Sequence, residues 1–163
     1  MKKAEENAKY TNITLKDYYG EDIVVHPKFI RYLVKDFTGK QLTIPGISLT
    51  MDTPEGPEPF AVITKSFGEF IGMKDCAYID TNNCNFTNVF VELGLAKPTG
   101  FTKRSGFCEY PLWKFDKGFL QAIGGAEYEE YSKEFDQYMR DEFGRGYEDC
   151  QSEEENIRLN DLT

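Results

Sequence analysis

The residues best suited to chemistry are a run of short polar side chains, Asp80, Asn82 and Asn83, followed some twenty positions later by Arg104 and Tyr110. A carboxylate and two amides at the end of a strand can line a cleft for a polar ligand. With Arg104 and Tyr110 returning beside them, they could also set a base against a hydroxyl group. Asp and Asn are equally the residues that cap helices and close turns through bonds to nearby backbone, so the same cluster has a purely structural reading.

A second set of ionisable residues follows a helical period. Glu127, Glu130, Glu134 and Asp141 are spaced by 3, 4 and 7, with Glu142 beside the last of them, and so form a stripe of carboxylates with no basic residue of the helix in it. Tyr128, Tyr131, Phe135, Tyr138 and Met139 make an apolar-aromatic face on the same helix. That face is either core or a surface for self-association. A carboxylate stripe is either a solvated face or a surface for a basic partner.

Other chemistries lack their parts. The chain has one histidine, His26, beside Pro27 at a strand end, so a His-paired nucleophile or a His-rich metal site cannot be assembled within one subunit. Cys76, Cys84, Cys108 and Cys150 are separated by 8, 24 and 42 residues, without the close pairs that structural zinc uses. They are expected to be reduced thiols, and no metal or cofactor is expected. Neither a G-x-x-x-x-G-K-[ST] loop nor a G-x-G-x-x-G fingerprint occurs, and Ser105 lacks the G-x-S-x-G surroundings of a nucleophile elbow.

These residues must be positioned by a single modest domain of 163 residues, 40% hydrophobic and 15% aromatic, whose mean hydropathy is −0.54. Asp22 to His26, Phe29 to Phe37, Leu42 to Leu49, Phe60 to Phe67 and Cys76 to Asp80 read as strands, with Thr53 to Pro59 a loop and a bulge or edge at Pro45-Gly46. Phe86, Val89, Phe90 and Leu93 predict a helix capped by the Asp80–Asn83 cluster and ended by Gly94. A loop follows through Lys97 and Gly106, then a strand over Cys108 to Phe115 placed at an edge or bulge by Pro111. A turn at Phe119 to Ile123 and a long helix over Ala126 to Phe143 complete the pattern. The expected fold is α+β: an antiparallel sheet of about five to six strands, one short helix packed on it and a long acidic C-terminal helix. The expected organisation is a core at 13–118, a helical extension at 119–146, and flexible tails at 1–12 and 147–163.

Charge is segregated along this plan. Residues 1–118 carry 15 acidic and 15 basic side chains, whereas residues 119–163 carry 13 acidic and 4 basic, so the net −9 lies entirely in the last quarter. Such a block disfavours direct binding to a phosphate backbone and suits a basic partner. No stretch is long and apolar enough to cross a bilayer, and no leader follows the first lysines.

The segments IDTNN (79–83), GLAKPTG (94–100), RSGFC (104–108) and Tyr110-Pro111-Leu112 resemble a family of unknown function found in conjugative elements, plasmids and phages of gut and other Gram-positive bacteria. The resemblance implies a short cytoplasmic protein of a bacterial host, without an assigned enzymatic role, in which the acidic segment after Phe119 is an addition to the common core. Joined to the acidic helix, it leads to the expectation of a non-enzymatic inhibitor, anti-CRISPR-like, that binds a host defence protein with a basic surface through Glu127, Glu130, Glu134, Asp141 and Glu142. An enzyme or small-ligand binder using Asp80, Asn82, Asn83, Arg104 and Tyr110 is the alternative. A self-associating assembly protein of the element, such as a homodimer, is the third.

Overall fold

The computed structural model describes residues 10–144. Cys150, the last acidic residues, residues 1–9 of the first expected tail and all of the second lie outside the described residues. The chain divides between Tyr131 and Ser132 into two compact units, and nearly all the secondary structure belongs to the first.

Strands β1 (Ile13–Lys16), β2 (Asp22–Lys35), β3 (Gln41–Thr53) and β4 (Gly56–Val62) form one antiparallel sheet in sequence order. Strands β5 (Thr64–Lys65), β6 (Cys76–Ile79), β7 (Ala96–Ser105) and β8 (Cys108–Phe115) form a second, in the order β5-β6-β8-β7. Helices are α1 (Asn88–Glu92), α2 (Lys117–Gly124) and α3 (Ala126–Phe143). The class is the expected α+β, with eight strands in two sheets where five to six in one sheet were expected.

The extra strands arise where turn chemistry hid pairing. Thr53 to Pro59, expected as a loop, is a hairpin in which Pro54 and Glu55 turn between β3 and β4, because a Pro-rich edge can still pair through its carbonyls. Lys97 to Gly106, also expected as a loop, is β7. Gly100 at φ 89° lets the strand shift register against β8 between Pro98 and Thr102. Strand β8 is central rather than at an edge, and Pro111 sits opposite the end of that irregular stretch. Pro45 pairs with Arg31 in unbroken register. β4 joins β3 only from Ser48 onward, so the missing proline N–H interrupts no bond to β4, and the bulge falls instead at Leu49/Thr50.

His26-Pro27 does not divide β2. The strand passes there from pairing with β1 (residues 22–25) to pairing with β3 (26–35). Both hairpins at its ends are D-x-x-G turns. The carboxylate of Asp17 accepts from the backbone of Tyr19 and Glu21, and that of Asp36 from Thr38 and Lys40, each at 2.9 Å. Gly20 and Gly39 supply the positive φ each turn needs.

Burial follows the alternation of the strands and the period of the helices. Val25, Ile47, Leu49, Ile63, Ile79, Phe90, Phe115, Phe119 and Leu120 are all buried. The aromatic rings of Phe90 and Phe115 approach Phe119 at 6.4 and 6.3 Å, and Phe29 meets Tyr128 edge-on at 5.6 Å. Helix α2 extends the expected turn at Phe119 to Ile123 because Asp116 caps it, its carboxylate accepting from Phe119 N at 3.0 Å. Helix α3 has the bounds its periodicity predicts.

Candidate functional site

The end of β6 carries the Asp80 cluster, but it does not cap α1. Cys84 N donates to the Asp80 carbonyl at 2.9 Å, and Asn83 Nδ2 donates to both Asp80 carboxylate oxygens at 3.2 and 2.9 Å. These bonds close a tight turn directly after the strand. Helix α1 starts later, at Asn88, with Thr87 as its N-cap and no side-chain capping bond. The predicted cap therefore serves the turn, because a further turn at 85–87 separates it from the helix. Asn82 is exposed on the same turn.

Lys65, on the strand paired with β6, reaches Tyr110 and lies within the field of Asp80. Lys65 Nζ donates to Tyr110 Oη at 3.2 Å and lies 4.9 Å from the centre of that ring. The hydrogen bond to Tyr110, then the charges of Tyr110 and Asp80, hold Lys65 above the usual lysine pKa. Phe67, two residues beyond the end of β5, packs edge-on against Tyr78 and Tyr110 at 5.5 and 5.2 Å. Lys103, the register partner of Tyr110, stands 5.2 Å from the Phe67 ring and pairs with Glu69 at 2.7 Å. Arg104 is the next residue along β7 and pairs with Glu109, so alternation puts it on the opposite face from Tyr110 and Lys103.

Below this surface, Tyr32 shares a hydrogen bond with Thr64 Oγ1 at 3.0 Å, and Ile47 N donates to the same oxygen at 3.0 Å. Burial raises the Tyr32 pKa, with Asp80 adding to the rise, and burial raises Cys84 as well. Lys65, Tyr32 and Cys84 are thus all held in their protonated forms. They are donors and dipoles suited to binding, and none is prepared as a base or nucleophile. Cys76 is pushed up to about 11 by burial and is chemically quiet. Cys76, Cys84 and Cys108 are free thiols, and among the described residues no cluster of His, Cys, Asp and Glu could hold a metal ion.

The acidic stripe is present on α3 with a partner that sequence reasoning missed. Glu127, Glu129, Glu130, Asp141 and Glu142 are exposed, and Glu134 is half-buried. Arg31, on β2, reaches Glu127 at 3.5 Å and Glu130 at 3.1 Å, while its Nε donates to Thr43 Oγ1 at 3.2 Å. The first half of the stripe is therefore engaged by a cation from a strand a hundred residues earlier. Asp141 accepts from Gln137 at 2.8 Å. The aromatic face of the helix is interior: Tyr128, Tyr131, Phe135, Tyr138 and Met139 are all buried.

Two further groups had little sequence signal. Asp75 is buried in a left-handed backbone conformation, φ 64°, and bonds the tyrosines of α3. A lone Asp before a strand carries no pattern that would mark it. His26, expected at a strand end, lies within β2, where one ring nitrogen faces the Thr11 carbonyl and the other Asp52, both at 3.0 Å.

A family model described as a domain of unknown function, DUF4313, matches residues 38–143, and the chain belongs to that family. The match continues through α3, so the helix is part of the family's domain and not an addition to it. It begins after β2, leaving β1 and β2 outside. No curated protein and no solved structure matches the chain.

Proposed function

We propose that this chain is a non-enzymatic accessory protein of a mobile genetic element that binds and inhibits a nucleic-acid-handling defence protein of its bacterial host. An anti-CRISPR is the concrete form. The observation that carries the reading is the sidedness of α3, whose tyrosines are buried while Glu127, Glu129, Glu130, Asp141 and Glu142 face solvent. Five exposed carboxylates on one helix give a basic groove a target that raises association rates and weakens with salt. Arg31 offsets Glu127 and Glu130, so the effective contact moves towards Glu129, Asp141 and Glu142.

The test is affinity capture from a bacterial lysate, followed by identification of the captured proteins. Recovery of a basic nuclease or its guide complex, displaced by high salt, is the expected result. Recovery of nothing at physiological salt would move the reading to small-ligand binding at Lys65, Tyr110 and Asp80. That alternative is favoured by the Lys65–Tyr110 bond, which holds a protonated amine on an aromatic surface. Burial of the α3 aromatic face speaks against its use for self-association.

A further inference from the structure

A cleft of about 260 Å³ lies between the edge strand β1 and helix α1, lined by Thr14, Leu15, Lys16 and Asp22 on one side and Asn85, Phe86, Asn88, Val89 and Glu92 on the other. We infer that this cleft receives an extended peptide segment of a partner protein, added as a fifth strand beside β1, with a basic side chain held by Glu92.

Strand β1 ends the sheet order β1-β2-β3-β4 and pairs only with β2, so its outer side is open to another strand among the described residues. The opposing wall has the chemistry of a peptide receptor. Asn88 and Glu92, four residues apart, place an amide and a carboxylate on one face of α1, and Asn85, in the turn before the helix, lines the same wall. All three are exposed, and among the described residues their side chains make no hydrogen bond or ion pair. Leu15 is buried beneath, and Phe86 is fixed by its 5.5 Å contact with Phe60, which gives an apolar floor for alternate side chains.

Charge selects the occupant. Asp22 is already paired with Lys16 at 2.5 Å, so Glu92 is the lining carboxylate left uncompensated and favours Lys or Arg in the bound segment. The cleft is distinct from both the acidic face of α3 and the Lys65 surface. β1 also lies outside the family match, so the receptor is completed by residues that the family domain does not include.

The test uses the full chain, isotope-labelled for amide NMR, titrated with the peptide Ac-TVKVT-NH₂. Matched probes carry Glu in place of Lys, or N-methyl groups on both Val residues. The expected result is that shifts concentrate on the Ile13–Lys16 backbone amides and the Asn85 and Asn88 side-chain amides. Binding should weaken by about threefold or more with the Glu peptide and with the Glu92→Gln variant, and N-methylation should abolish it, since a ladder needs its N–H groups. The proposal is overturned if millimolar peptide leaves the β1 amides unmoved, or if the Glu and N-methyl peptides bind as well as the first. It is also overturned if those amides shift with protein concentration alone, which would make a second copy of this chain the occupant.

Discussion

The phenol of Tyr128 donates to the carboxylate of Asp75 at 2.9 Å, and the hydroxyl of Tyr131, three residues further along α3, accepts the backbone N–H of Asp75 at 3.0 Å. One turn of α3 thus satisfies two of the three polar groups of a residue at the mouth of a strand. The carbonyl of Asp75 in turn accepts from Phe115 N at 2.8 Å, so three segments meet at a single buried acid.

Burial raises the Asp75 pKa above 3.8, against the opposing pull of Tyr128 and of Lys74, Lys114 and Lys117. A folded-state pKa above the unfolded value contributes stability that is full below about pH 3.8 and is lost as pH rises through the folded value. Asp75→Asn keeps the acceptor for Tyr128 and suits the positive φ, so it should remove this slope and be at least as stable as wild type at neutral pH. Tyr128→Phe leaves the carboxylate buried without that donor and should cost about 1 to 3 kcal/mol. Urea melts across pH 3 to 8 check both, and a wild-type slope retained in Asp75→Asn would refute the assignment.

A second pH effect belongs to His26. Its pKa is raised above 6.5, first by the Thr11 carbonyl and then by Asp52, because an imidazolium can donate from both nitrogens at once. This contribution is present below pH 6.5 and is lost as pH rises through the folded value. Asp52→Asn should lower the His26 pKa only in part, since the larger cause remains, and NMR titration of the ring protons measures it directly. An unchanged titration would place Asp52 elsewhere in solution.

Much of this was legible in the residues, for reasons that differ by element. Helix α3 carries its apolar period over five turns, so its bounds could be read. β2 could be read as two strands but not as one, because Pro27 punctuates a sequence while costing a long antiparallel strand little at the point where its partners change. β7 was hidden by Pro98 and Gly100, which signal a loop locally and are tolerated in the sheet through a register shift. At the candidate site, Asp80, Asn83 and Tyr110 were visible, whereas Lys65, Tyr32 and Arg31 were not. Their roles depend on pairings across 32 to 99 residues, which no local spacing encodes.

Lys65 offers a test of the site that does not depend on any ligand. Tyr110→Phe removes the largest cause of its raised pKa, so the Lys65 amine should titrate at a lower pH in the variant, with the fold unchanged because the ring remains. Asp80→Asn should lower it by less. Side-chain NMR of labelled lysine resolves the two. A larger fall with Asp80→Asn than with Tyr110→Phe would make the carboxylate the dominant partner of the amine.

The acidic helix separates two roles that its composition confounds. Glu127 and Glu130 hold Arg31, whose side chain is only 19% exposed, so reversing both to Lys puts three cations together and removes two ion pairs. That double variant should lose about 1 to 2 kcal/mol, since exposed pairs are each worth about 0.2 to 1 kcal/mol and like charges add a penalty. Among the described residues Glu129, Asp141 and Glu142 make no ion pair, and their reversal should change stability by within about 0.5 kcal/mol each. If the helix engages a basic groove, the triple reversal at 129, 141 and 142 should weaken binding to a captured partner, chiefly through slower association. The wild-type interaction should itself fade as salt shortens the screening length to about 3 Å near 1 M. Denaturant melts and surface-binding kinetics on the two variants give the comparison. Should the triple variant bind as fast as wild type at low salt, the carboxylates of α3 are a solvated face and the inhibitory reading falls with them.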